Sequence, residues 1–160
     1  WESRLGYDEF TFLKDLPRSL QMEVALSLNK DILERMPILK GAPSSLVREI
    51  VLSLSPQVFT PGDMVFQYGD PGKEMYMISK GSVEILDKER NAIATLSDGQ
   101  FFGEVALLHH APRNASVRAL DYCDIYSLDR KTFEEILNRY PDFAATVESM
   151  AEQRKGQSSS

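Results

Sequence analysis

The sequence predicts an α+β fold: a β-roll, that is a jelly-roll-like barrel, flanked by N-terminal linker helices and two C-terminal helices. Three observations carry that prediction. Apolar residues recur at helical spacing before residue 55, turn residues break up short apolar runs from Val58 onward, and the helical period returns after Leu128. The chain has 160 residues, 42% hydrophobic and 26% charged, which suits one folded domain with a real core.

In order along the chain, Asp8 to Leu16 reads as a short helix. Pro17 suits a first helical position, and Leu20, Val24 and Leu28 form a stripe behind it. A further stripe, Ile32, Leu33 and Met36, ends at Pro37. Pro43 opens the next helix, with Leu46, Val47, Ile50, Val51 and Leu54 on one side and Pro56 as its stop. Breaks then follow at Pro61-Gly62-Asp63, Gly69-Asp70-Pro71-Gly72, Lys80-Gly81, Ser97-Asp98-Gly99 and Ala111-Pro112. A turn signal about every eight to twelve residues is the rhythm of a sandwich, jelly roll or barrel. Met75-Tyr76-Met77-Ile78 is apolar on both faces and predicts a central strand, whereas Val83 and Ile85 alternate with Ser82 and Glu84 as in a half-buried one. Asp129 is a candidate N-cap for a helix with Phe133, Ile136 and Leu137 on one face. Pro141 interrupts it, and a last helix puts Phe143, Val147, Met150 and Ala151 on one face before a tail at 156–160 that is expected to be disordered.

Charge and cysteine content exclude several function classes. Eighteen Lys and Arg against 24 Asp and Glu give a net charge of −6, the wrong sign for binding nucleic acid through its phosphates, and no local basic patch offsets it. Cys123 is the only cysteine, so neither an internal disulfide nor a cysteine zinc cage can form, which fits a reducing, cytosolic setting. No apolar run approaches the roughly eighteen residues that span a bilayer. A start at Trp1 and a stop in Ser158-Ser159-Ser160 read as a piece of a longer protein.

The chemistry concentrates between Leu96 and Leu120. Phe101-Phe102-Gly103-Glu104 ends a strand, and Val105 to Leu108 is short and apolar enough for one helical turn. Gly103 removes a side chain where backbone can approach a ligand, and the free amides opening the turn suit an anion such as a phosphate. Arg113 carries a fork of donors that matches two phosphate oxygens, and Asn114-Ala115 add backbone amides beside it. Glu104 would repel a phosphate, so its useful role is to accept hydrogen bonds from neighbouring sugar hydroxyls. Taken singly, Gly-Glu is a turn and Arg after Pro is a solvated loop residue; the combination is far less common than its parts.

Gly-Glu, then Ala-Leu-Leu, then Arg-Asn-Ala-Ser-Val-Arg-Ala, inside a turn-punctuated β domain flanked by helices, resembles the phosphate-binding cassette of the cyclic-nucleotide-binding domains. Pro61-Gly62-Asp63, Gly69, Gly72-Lys73, Tyr76, Gly81 and Tyr122-Cys123 to Leu128 fall where that family has its turns and strands. Upstream, Leu16-Pro17-Arg18-Ser19-Leu20 and the run to Met36-Pro37-Ile38-Leu39 resemble the linker that joins this domain to the pore in cyclic-nucleotide-gated and hyperpolarisation-activated channels, bacterial cyclic-nucleotide-gated potassium channels in particular. The resemblance implies a partial linker at 1–37 and a binding domain at 38–155, with its barrel at about 57–128 and its C-terminal helices at about 130–155.

That resemblance also implies roles. Arg113 pairs with the cyclic phosphate, Glu104 takes the ribose 2′-hydroxyl, and Gly103, Val105, Ala106 and Ala115 line phosphate and sugar mainly through backbone. Ile85 packs against the purine, and Arg154 reaches the base from the last helix. Position 114 is Asn where relatives that favour cGMP often carry Thr, so cAMP is the expected ligand ahead of cGMP. No cofactor is expected. The implied partner is the transmembrane pore of a parent channel, a tetramer as a whole, with this fragment a cytoplasmic part that is itself monomeric and not inserted in the membrane. The alternative owner is a kinase regulatory subunit or a transcription regulator. A regulator would need a helix-turn-helix beyond the last helix.

Catalysis is not expected. His109-His110 are adjacent and have no further His or Cys at ligand spacing, so a metal site is not expected either. A cupin-type oxygenase would need about three converging ligands. No Ser-His-Asp set, P-loop or dinucleotide glycine pattern is present.

Overall fold

A computed structural model describes residues 39–158, together with positions 17, 20 and 36, with side chains through 153. The predicted helices at 1–37 therefore lie outside the described residues, apart from an exposed Leu20 and a buried Met36. In order come α1 (Ser44–Ser53), β1 (Ser55–Phe59), β2 (Met64–Phe66), β3 (Glu74–Lys80), β4 (Ser82–Leu86), β5 (Ala92–Ser97), β6 (Phe101–Phe102), α2 (Glu104–Leu108), β7 (Ser116–Ala119), β8 (Cys123–Asp129), α3 (Arg130–Arg139) and α4 (Pro141–Ser158). The strands form two four-stranded sheets, β1-β8-β3-β6 and β2-β7-β4-β5, with antiparallel pairing throughout. This is the predicted mixed fold, a jelly-roll-like β-roll with helices after it.

The double apolar character of β3 has a direct structural cause. Tyr76 and Ile78 point into the roll, where they pack with Val83, Phe102, Val117 and Ile125. Met75 and Met77 point the other way, into a second cluster with Phe101, Tyr126, Leu128 and the helical residues Leu46, Ile50, Phe133, Ile136 and Val147. One sheet thus serves two cores, one between the sheets and one under the helices. Met36 and Leu39 join the helical cluster. Among the described residues no helix is long and apolar enough to cross a membrane.

Two element boundaries differ from the sequence reading. The strands begin at Ser55 and include Pro56, because β1 is an edge strand that pairs with β8 alone and tolerates a residue without an N–H. The backbone of α4 stays helical through Ser158, past the Gly156 at which order was expected to end; Glu152, Gln153, Arg154 and Lys155 are all good helix formers.

Asp129 caps α3 as predicted, accepting from the Thr132 N–H at 3.4 Å. That bonding holds its carboxyl below the ordinary value of 3.8. Because the folded-state pKa is depressed, the cap contributes stability above 3.8 and loses it as pH falls below that value. Asp129→Ala is expected to cost about 1 kcal/mol near neutral pH by urea denaturation. The gap between variant and parent should close on acidification; a gap that stays constant down to strongly acidic pH would separate the cost from the carboxylate.

Candidate functional site

The site grows from the end of β6. Phe102 faces the interior of the roll, and the next residue, Gly103, turns the chain into α2 with a left-handed φ of 88°. The left-handed φ favours glycine, and a Cβ there would also crowd the site, lying 3.0 Å from Arg113 Nη1 and 3.4 Å from the Tyr76 ring. Gly72 has a comparable task on the far side of α2, since a Cβ there would fall 2.5 Å from the Ala106 Cβ. The α2 helix is thereby fitted closely against the loop before β3.

That loop also fixes Arg113. The Arg113 N–H donates to Asp70 O at 2.8 Å, and its carbonyl accepts from the Gly69 N–H at 2.9 Å. The side chain turns inward and is only 4% exposed. Its Nη1 donates to Gly103 O at 2.8 Å and its Nη2 to Glu74 O at 2.6 Å, while the guanidinium lies 4.0 Å from the centre of the Phe66 ring. Tyr76 completes the cradle: its ring stacks on Phe102 at 5.2 Å and its hydroxyl donates to Glu74 Oε1 at 2.8 Å. Burial, followed by that bond to Glu74, pushes the Tyr76 hydroxyl well above its ordinary range.

The electrostatics of Arg113 follow from this burial. Desolvation lowers its pKa, against the attraction of Tyr76, Glu74 and Asp70, yet a guanidinium remains charged at any physiological pH. Among the described residues no carboxylate forms a salt bridge with it, and its Nε has no hydrogen-bond partner. A buried cation held by neutral carbonyls, on the wall of an open cleft, is suited to receive an anion.

The cleft has an empty volume of about 820 Å³, open to solvent. Of the residues singled out in the sequence, Gly103, Glu104, Val105, Ala106, Arg113, Asn114, Ala115 and Ile85 all line it. Glu104 is 1% exposed, whereas Asn114 is exposed at the rim. Ile85 of β4 pairs across with Ala94 of β5 on one side and Val117 of β7 on the other, and all three line the cleft as one apolar rung. Arg154 lies on α4, but its side chain is outside the described residues. Sequence reading missed Phe66 and Phe102 as walls, and also Ile93, Ala94, Leu96 and Val117. The only sequence signal for these was apolarity next to turn residues.

The two histidines diverge, as adjacent residues do. His109 Nε2 lies 3.8 Å from Glu152 on α4, and His110 Nε2 lies 3.9 Å from Glu134 on α3. No group of three potential metal ligands occurs among the described residues. Cys123 is buried, its thiol donating to Ser82 O and Asp121 O, and burial pushes its pKa up.

Comparison with known proteins points the same way. Residues 56–140 match the profile of the cyclic nucleotide-binding domain. The chain is 34% identical over 160 residues to the cyclic nucleotide-gated channel rod photoreceptor subunit alpha of Gallus gallus, an alignment covering 96% of this chain and 25% of that protein. It is also 34% identical over 160 residues to the cyclic nucleotide-gated channel alpha-3 of Homo sapiens, covering 96% and 23%, and 36% identical over 146 residues to beta-3 of Mus musculus, covering 88% and 21%. The chain spans about a quarter of the length of the curated relatives it matches.

Proposed function

The chain belongs to the cyclic nucleotide-binding domain family, and on that premise we propose that it is the ligand-sensing domain of a cyclic-nucleotide-gated channel subunit, taking cAMP ahead of cGMP. The observation that carries this reading is Arg113, a buried cation with no salt-bridge partner among the described residues, set in the wall of the cleft. In this reading the cyclic phosphate supplies the missing negative charge, with the backbone amides at the start of α2 beside it. Glu104 accepts from the ribose 2′-hydroxyl, and the purine lies on the rung of Ile85, Ala94 and Val117. Asn114 at the rim offers no hydroxyl to the guanine amino group, which favours adenine.

Signal transfer in this reading uses α2, which has one side on the cleft and another in the helical core. Leu107 packs in the same cluster as Phe133, Ile136 and Val147, so a ligand that repositions α2 acts on α3 and α4. Closure of α4 then passes through a linker at 1–37 to the pore of a tetrameric channel, for which a bacterial cyclic-nucleotide-gated potassium channel is the parent type this reading takes. A ligand shifts such a gate only through its differential affinity for the two states, typically worth about 1 to 3 kcal/mol.

Calorimetric titration of the chain with cAMP, cGMP and AMP tests the reading, since AMP keeps the purine and opens the phosphate ring. The expected result is micromolar or tighter binding of cAMP, weaker binding of cGMP and little binding of AMP. Absence of binding by the folded protein would remove the sensor function, and cGMP binding more tightly than cAMP would remove the role given to Asn114.

A further inference from the structure

The α2 helix is tied to α3 by a side chain that does not line the cleft. Arg130 opens α3 directly after its cap, and its backbone N–H donates to Lys73 O at 2.9 Å, next to the carbonyl of Glu74 that holds Arg113. Its guanidinium reaches back to α2, where Nη2 donates to Ala106 O at 3.4 Å. That carbonyl already accepts from the Ala111 N–H at 3.1 Å. Arg130 Nε is buried and has no hydrogen-bond partner among the described residues, and Glu134 Oε1 is in the same condition.

A bond of 3.4 Å lies at the outer limit for a hydrogen bond, and a buried donor without an acceptor is costly. The connection between α2 and α3 is therefore slack in this structure, with one weak bond made and one donor in reserve. Ala106, its acceptor, sits on the cleft wall. We propose that Arg130 is a positioning residue that couples the cleft to the C-terminal helices: when an anion settles at the start of α2, the Arg130 guanidinium and α2 draw into full hydrogen bonding, and α3 and α4 follow. The inference rests on the reading of the cleft as a cyclic nucleotide site. The charge of Arg130 also helps to lower the pKa of Arg113, so a bound anion stabilises both cations.

The test compares Arg130→Gln and Arg130→Lys with the unchanged chain, using cAMP as probe, calorimetry for affinity and amide hydrogen exchange for coupling. Arg130→Gln is expected to bind about tenfold more weakly. At saturating cAMP its α2 amides should still gain protection while those of α3 and α4 do not, a split that loss of a merely structural brace would not produce. Arg130→Lys, which keeps the charge and a donor, should recover much of both. Unchanged affinity and unchanged protection of α3 and α4 in Arg130→Gln would overturn the inference, as would a loss of protection already present in ligand-free α3. If the unchanged chain fails to bind cAMP, the cyclic nucleotide reading itself fails, and the two failures are told apart by that measurement alone.

Discussion

Arg113→Glu should abolish cyclic nucleotide binding, with affinity falling on the order of a thousandfold or more. Removing one partner of a buried charge pair costs roughly 3 to 5 kcal/mol, a factor of about a hundred to several thousand, and the new carboxylate adds repulsion of the phosphate. The geometry places nearly the whole effect on this one side chain, because among the described residues no other cation lines the cleft. The ligand-free fold pays separately, since Gly103 O and Glu74 O lose the donors that now satisfy them. Arg113→Lys separates the two contributions. It keeps a positive charge on a flexible stem but loses the planar fork and the stacking on Phe66, so about tenfold weaker binding is expected with the fold retained. Titration with cAMP, checked by circular dichroism for folding, reads both variants; near-normal binding by Arg113→Glu would take Arg113 out of the site.

The set of residues that line the cleft was partly legible because much of it is local in sequence. Gly103, Glu104, Arg113 and Ala115 lie within one stretch, and their residue types alone argue for an anion beside a sugar. The central position of β3 was equally legible, since a short run that is apolar on both faces needs a packed layer on each side of it. The cradle of Arg113 was not legible, because Phe66, Tyr76 and Phe102 come from three different strands: Tyr76 and Phe102 meet through the β3–β6 register, and Phe66 of β2 meets them from the opposite sheet. The rung of Ile85, Ala94 and Val117 was hidden for the same reason: β4 has a half-buried alternating pattern whichever strands flank it. Pro56 misled because a proline marks the end of a helix and is also allowed in an edge strand, and sequence does not say which strand is at the edge. In each case local chemistry could be read, and what depended on long-range pairing could not.

Phe133→Ala tests whether the helices and the cassette share one core. Phe133 is 1% exposed and belongs to the cluster that contains Leu107 of α2, Met75 and Met77 of β3, Ile136 of α3 and Val147 of α4. Truncating a buried Phe costs about 3 to 5 kcal/mol, as lost transfer energy and as a cavity its neighbours cannot fill. In a chain of this size that corresponds to a fall of roughly 10 to 15 °C in Tm, measurable by scanning calorimetry. Phe143→Ala, at the half-buried edge of the same cluster, should cost clearly less. The functional consequence differs in kind from that of Arg113→Glu. The cavity loosens the support of α2 through Leu107 but leaves the cation and its carbonyls in place, so cAMP affinity should fall modestly, and saturating ligand should recover part of the lost Tm by binding only the folded state. Equal Tm losses in the Phe133 and Phe143 variants would mean that the cluster does not act as one packed unit, and α2 would then have no hydrophobic route to α3 and α4.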